Sequence, residues 1–159
     1  WLDERKMQID MVKNDFRVVS WVKSHQGEAW EEFPPEYALF AYGTFLLTYE
    51  KDAEQYWGAR GNPEPHLALS PEEGPPSFVY WDLGEPLQSF SHIPEAELND
   101  FPGVYSRKFS KGLVVVNPDP ENDKEINLDD NYYEPESGEW VDRLELTPRS
   151  ARILLKSVN

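Results

Sequence analysis

Asp82 and Glu85 flank Gly84 directly after Trp81, and two carboxyl groups beside an indole are a residue set able to act on a sugar. Cleavage of a glycosidic bond needs two such groups across the ring. They stand about 5 to 5.5 Å apart when configuration is retained and about 6.5 to 9.5 Å apart when it is inverted. The indole offers a flat apolar surface to the C–H face of a pyranose. The same residues read equally well as a tight turn carrying an acid and a tryptophan packed into a core. Thirty Asp and Glu in 159 residues make close acidic pairs unavoidable. Glu28, Glu31 and Glu32 around Trp30 form a second group of this type, and nothing marks a member of either as the general acid.

Other chemistries find less support. His25, His66 and His92 lie far apart, without the HExxH spacing of a helical zinc site, and the chain has no Cys. Ser20, Ser24 and Ser89 lack the G-x-S-x-G context of a nucleophile elbow. Asp119, Glu121, Asn122 and Asp123, like Asp129, Asp130 and Asn131, offer hard oxygen atoms. Neither run follows the D-x-[DN]-x-[DN]-G calcium loop. Neither a metal nor a cofactor is therefore expected. Trp81, Tyr105, Tyr132, Tyr133 and Trp140 are candidates for stacking on a sugar or for an inward-facing core, and consecutive tyrosines in a strand predict that one of them is exposed.

A formal charge of −15 repels phosphate backbones and anionic membranes, so nucleic acid and membrane surfaces are not expected partners. No run reaches the roughly 18 to 20 apolar residues of a membrane span. The absence of Cys is compatible with either side of a membrane, and the compartment stays open. The opening Trp1-Leu2-Asp3-Glu4-Arg5-Lys6 reads as the middle of a surface helix, from which we expect more chain upstream.

The elements that position these residues are of two kinds. Apolar residues at Leu2, Met7, Ile9, Met11 and Val12 predict a helix, and Arg17 to Lys23 reads as a strand buried on both faces, as in a parallel sheet. Pro34-Pro35-Glu36 starts a second helix, predicted to run from Pro35 to Tyr56 with Phe40, Phe45 and Leu47 on an apolar face that needs a large surface to bury it. A stretch rich in Gly and Pro, residues 58–76, reads as a linker. Short β-type runs follow at Ser77–Tyr80, Val104–Phe109, Leu113–Asn117, Glu125–Leu128, Trp140–Leu146 and Ala151–Lys156. Turn residues separate them. Gly112 is expected to take the positive φ of one hairpin, and Glu136-Ser137-Gly138 to form another. The fold class is therefore α+β: a helix-strand-helix segment over residues 1–57, a linker, and an antiparallel β-sandwich over residues 77–159.

The sandwich portion carries a longer pattern, Arg107-Lys108-Phe109-Ser110-Lys111-Gly112-Leu113-Val114-Val115-Val116-Asn117-Pro118 followed by Leu146-Thr147-Pro148-Arg149-Ser150-Ala151-Arg152-Ile153-Leu154-Leu155. Together with Asp82-Leu83-Gly84-Glu85-Pro86-Leu87, it resembles the terminal sandwich of glycoside-hydrolase-like proteins of the "hypothetical glycosyl hydrolase" type, in which an all-β domain closes behind a (β/α)8 barrel. The resemblance implies that residues 1–57 correspond to the end of the barrel and that its catalytic carboxylates lie on strands outside this sequence. It carries no catalytic residue onto any position here.

Barrel sites lie at the C-terminal ends of strands, which would bring His25, Gln26 and Trp30 to the mouth. Candidate substrate-binding residues are thus His25, Gln26, Trp30, Trp81, Asp82 and Glu85. The expected role is a non-catalytic domain that caps and stabilises a barrel, inactive by itself, whose partner is the missing barrel portion or another chain. The alternatives are a carbohydrate-binding module using exposed aromatics and a protein-interaction module.

Overall fold

The computed structural model describes residues 1–14, 18–23, 35–50, 55–60, 77–90 and 92–157; for 18–23, Pro35 and 55–60 the backbone alone is described. Two helices precede a five-stranded antiparallel sheet, an α+β fold whose sheet is sandwich-like. Helix α1 spans Leu2–Lys13 and α2 spans Pro35–Leu47. Between and after them, β1 (Val18–Lys23) and β2 (Gln55–Arg60) pair in parallel, Val18 opposite Gln55 through Lys23 opposite Arg60. The sequence β1-α2-β2 is a parallel crossover unit.

Strand β2 corrects the expectation of one helix from Pro35 to Tyr56. The helix stops at Leu47, and Thr48 N–H and Tyr49 N–H close its last turn on the carbonyls of Phe45 and Leu46. The carbonyls of the last turn need further partners, as at any helix end. Arg107 supplies them: one terminal nitrogen of its guanidinium donates to the carbonyls of Leu46, Leu47 and Tyr49.

The antiparallel sheet has the order β3-β4-β7-β5-β6, with β3 at Tyr105–Phe109, β4 at Gly112–Asn117, β5 at Lys124–Glu134, β6 at Glu139–Leu146 and β7 at Ser150–Leu155. These follow the five β-type runs expected from Val104 onward, whereas Ser77–Tyr80 is a 3-10 turn that buries Phe78. Strand β4 is buried at every position because both faces of the sheet are covered. On one face Val114, Val116, Ala151 and Ile153 meet Ala38, Leu39, Phe45 and Leu47 of α2. Gly43 permits that approach: a Cβ there would lie 2.6 Å from the Cβ of Ala151. On the other face Leu113, Val115 and Leu154 meet Ile126, Leu144 and Leu146 of the β5–β6 hairpin.

One hairpin serves both layers because β5 bends. Its register against β6 shifts between Asn127 and Tyr132, after which Tyr133 pairs with Leu155 and rejoins the sheet. Tyr132 is buried in the hairpin-side core and Tyr133 packs against the helix-side core. The expectation that one of the two is exposed fails for this reason: consecutive residues do point to opposite faces, and both faces are covered. Phe45 and Leu47 are likewise buried within the chain, with Phe40 packed beside them, so the sheet supplies the large surface that this apolar face was expected to need.

Gly112 also departs from expectation. Positive φ among the described glycines occurs at Gly84, Gly103 and Gly138, not at Gly112. Gly112 is required instead by close approach, since a Cβ would fall 2.3 Å from the Leu154 carbonyl oxygen and 2.4 Å from a Leu83 methyl carbon. The outer edge of β3 is covered by chain on its N-terminal side, with bridges Pro86 to Phe109 and Glu97 to Tyr105. Strand β6 forms the other edge and carries exposed Asp142, Arg143 and Glu145, which discourage pairing with a further chain.

Candidate functional site

The turn that carries Asp82 and Glu85 packs against the β3–β4 hairpin. Gly84 adopts φ +70°, and its N–H donates to Asp82 Oδ1 at 3.0 Å. Lys111 pairs with the other carboxylate oxygen of Asp82. The Lys111 hydrogen bond, followed by the Gly84 N–H, draws the Asp82 carboxyl below its usual range. Backbone bonds from Ser110 N–H to the Glu85 carbonyl at 2.8 Å and from Lys111 N–H to the Leu83 carbonyl at 2.9 Å complete the junction. Trp81 is half-buried, its ring edge-on to Phe78 with centroids 6.3 Å apart. Asp82 is thereby held ionised by its partners, in the state opposite to that of a general acid at neutral pH. His25, Gln26 and Trp30 lie outside the described residues, as do Glu28, Glu31, Glu32 and His66.

Among the described residues, Arg107 is an ionisable group with many hydrogen bonds that its residue type alone did not mark as a candidate. Arg107 has no exposed surface, although it sits in the middle of β3. Besides the three helix-end carbonyls, it donates to the Gln88 carbonyl and to Glu50 Oε1 at 2.9 Å, and its guanidinium lies 5.4 Å from the Phe90 ring centroid and 5.8 Å from that of Phe109. Burial pulls the guanidinium below its ordinary pKa, and Glu50 opposes the shift. The signal was present: Arg107 shares the inward parity of Tyr105 and Phe109 in β3. All three guanidinium nitrogens of Arg107 donate to the protein itself, so the chemistry of this residue is that of a clamp.

Asn117 does the same at the far end of β4. Its Nδ2 donates to the carbonyls of Asn122, Leu146 and Thr147, and its Oδ1 accepts from Asp119 N–H at 3.1 Å. In the acidic loop after it, the Asp119 carboxylate is spent internally. Asp119 accepts from the N–H groups of Glu121 and Asn122 and from the Asn122 side chain, and these bonds hold its carboxyl below the usual range. Asp129 is held low by Lys108 and also accepts from the Tyr132 hydroxyl, whose pKa burial and Asp129 push up to about 12. Among the described residues no three His, Asp or Glu side chains are placed to hold a metal ion, and no helix is long and apolar enough to cross a membrane.

Two further surface features come from the helix ends and the β5–β6 hairpin. A cleft of about 160 Å³ lies between the C-terminal ends of α1 and α2, lined by Ile9, Val12, Leu47, Glu50, Ser89 and Phe90. It is smaller than the roughly 300 to 1,000 Å³ of small-molecule sites. It also lies at the helix C-termini, the end of a parallel crossover unit that faces away from the strand C-termini, where ligands bind.

The second feature is the tip of the β5–β6 hairpin, where Trp140 is 49% exposed and stands opposite Tyr133 with ring centroids 5.9 Å apart. Glu134 pairs with Arg152 at 3.0 Å and accepts from Ser137 at 2.6 Å. Burial raises the Glu136 pKa, against the attraction of Arg152 and with the repulsion of Glu134.

Comparisons with protein-family models, with curated proteins and with solved structures return no match.

Proposed function

We propose that this chain is a non-catalytic structural domain that caps the end of a (β/α)8 barrel in a glycoside-hydrolase-like protein and stabilises it. The observation that carries the reading is the position of α2, which contacts the parallel pair β1–β2 as well as the antiparallel sheet. A helix with apolar residues on all sides belongs in an interior layer, and α2 is of this kind over Tyr37-Ala38-Leu39-Phe40-Ala41-Tyr42 and Phe45-Leu46-Leu47. Parallel sheets are buried on both faces and seldom consist of two strands, so β1–β2 calls for further parallel strands beside it. A helix outside such a sheet, with a sandwich packed on its outer side, is the arrangement that the sequence resemblance implies. The inward direction of the polar groups of Arg107, Asn117 and Asp119 supports a structural role.

Amide hydrogen exchange tests the reading. In this chain alone, the amides of β1 and β2 should exchange at least tenfold faster than those of β4. In a longer chain that adds the upstream coding sequence, they should approach the protection of β4. Protection of β1 and β2 equal to that of β4 in the 159-residue chain would count against the need for further strands. Turnover of aryl glycosides by this chain, abolished by Asp82→Asn, would sink the non-catalytic half of the proposal.

A further inference from the structure

Polar contacts fasten the first two turns of α1 to α2. The Trp1 indole N–H donates to Thr44 Oγ1 at 3.5 Å, and the Arg5 guanidinium and the Thr48 hydroxyl donate to Gln8 Oε1 at 2.7 and 3.2 Å. Farther along α1, Ile9 and Val12 line the cleft of about 160 Å³ instead. Leu47 and Thr48 at the end of α2, together with Ser89 and Phe90, line it from the other elements.

Size and lining select what can enter. An apolar cavity of about 150 Å³ walled by Leu, Ile and Phe takes up one benzene molecule. This cleft has nearly that volume and presents the same side-chain types in Ile9, Leu47 and Phe90. A space too small for a drug-sized ligand thus admits a single six-membered ring. Its walls are already in place. Ile9 and Leu47 are buried in the helix-side core, and the Phe90 ring lies against the Arg107 guanidinium, itself tied to the Leu46 and Leu47 carbonyls. A preformed site spares the ligand the cost of ordering side chains.

Glu50 and Ser89 make the lining polar in one part. Ser89 donates to Glu50 Oε2 at 3.0 Å, and Arg107 donates to Glu50 Oε1 at 2.9 Å. A carboxylate oxygen and a hydroxyl oxygen each accept more than one hydrogen bond, so a ligand hydroxyl can be received there. An anionic ligand is opposed by the same carboxylate and by the formal charge of −15.

We propose that the cleft between α1, the end of α2 and Phe90 is a binding site for one neutral aromatic ring carrying a hydroxyl, the chemistry of a phenol. The ring enters between Ile9, Val12, Leu47 and Phe90, and the hydroxyl meets Glu50 and Ser89. The site is formed by described residues of this chain alone, and the inference does not depend on the barrel-capping reading.

Titration of phenol into the isotope-labelled 159-residue chain, followed by amide chemical shifts, tests it. Shifts should concentrate at Ile9, Val12, Leu47, Thr48, Ser89 and Phe90 and saturate with a Kd of about 1 mM or tighter, in keeping with a ligand of so few atoms. Benzoate, which carries a charge in place of the hydroxyl, should bind at least about tenfold more weakly. Val12→Phe fills the cleft from a half-buried position and should abolish the shifts, while Ser89→Ala, at an exposed position, should weaken binding about threefold through the lost hydrogen bond. The amide spectrum of each variant without phenol establishes that the fold is intact. Absence of saturable shifts in the unsubstituted chain, or equal binding by a folded Val12→Phe variant, overturns the site. Binding of benzoate as tight as that of phenol overturns the assignment of a neutral hydroxyl ligand.

Discussion

The two faces of the β4–β7 strand pair are covered in different ways, and the difference separates what is local in this molecule from what is not. On the hairpin side Val115 and Leu154 pack against Ile126, Leu144 and Leu146, all within the last five strands. On the helix side Val114, Val116 and Ile153 pack against α2, more than sixty residues earlier in the sequence. The hairpin side is secured by Asn117, which ties the end of β4 to the Leu146 and Thr147 carbonyls at the end of β6. The helix side is secured by Arg107, which ties the end of α2 to β3. A neutral amide suffices where neighbouring turns must be joined. A buried cation is used where the orphan carbonyls of a helix must be satisfied at a distance, and Glu50 balances its charge.

Removing that cation should have the largest effect. Arg107→Ala removes a charged donor from four carbonyl groups and from Glu50 and is expected to cost about 3 to 5 kcal/mol in urea-induced unfolding, the usual scale for breaking a buried charge pair. A loss below about 1 kcal/mol would mean that water replaces the guanidinium and that the clamp is dispensable.

The neighbouring residues Ile153 and Leu154 point to opposite faces and allow a direct contrast. Each substitution by Ala should cost about 2 to 5 kcal/mol. Hydrogen exchange should distinguish them, with Ile153→Ala loosening the amides of α2 and Leu154→Ala loosening those of 124–127 and 143–146. Identical exchange patterns would show that the two faces form one cooperative unit with no division between them.

The smallest effect concerns pH. Tyr42 lies on the helix side between Phe45 and Phe78, and burial, followed by Tyr49, pushes its hydroxyl up to about 12. The fold accommodates the neutral phenol, so this contribution is fully present below the ordinary value near 10 and is lost as pH rises through about 12. Tyr42→Phe should flatten the fall in stability over that window while changing little at pH 7. A Tyr42→Phe variant whose stability falls as steeply as that of the parent over the same range would assign the effect to another group.

Much of this architecture was legible in the residues. The five strands from Tyr105 onward announce themselves through β-branched and aromatic runs bounded by Gly, Pro, Asn and Asp, and α1 through its apolar spacing. Local propensity acts over a few residues, and these signals are of that length. The start of α2 was equally plain in Pro34-Pro35-Glu36, but its end was not, because nothing between Leu47 and Gln55 breaks a helix as forcefully as the Arg107 side chain caps one.

The candidate carboxylates show the same division. Asp82 and Glu85 could be named from their spacing beside Trp81. Their use in joining a turn to the β3–β4 hairpin depends on Ser110 and Lys111, more than twenty residues later. Tyr132 and Tyr133 carry identical side chains in adjacent positions, and only the bend in β5 places one in each core. The sequence by itself determined the strands, most of the turns and the acidic, cysteine-free surface, all consequences of composition and short-range periodicity. The tertiary structure decided which face of each strand is covered and by what, where α2 ends and which charges are buried. Each of those outcomes is a contact between residues far apart in the chain, whose free energy no local pattern encodes.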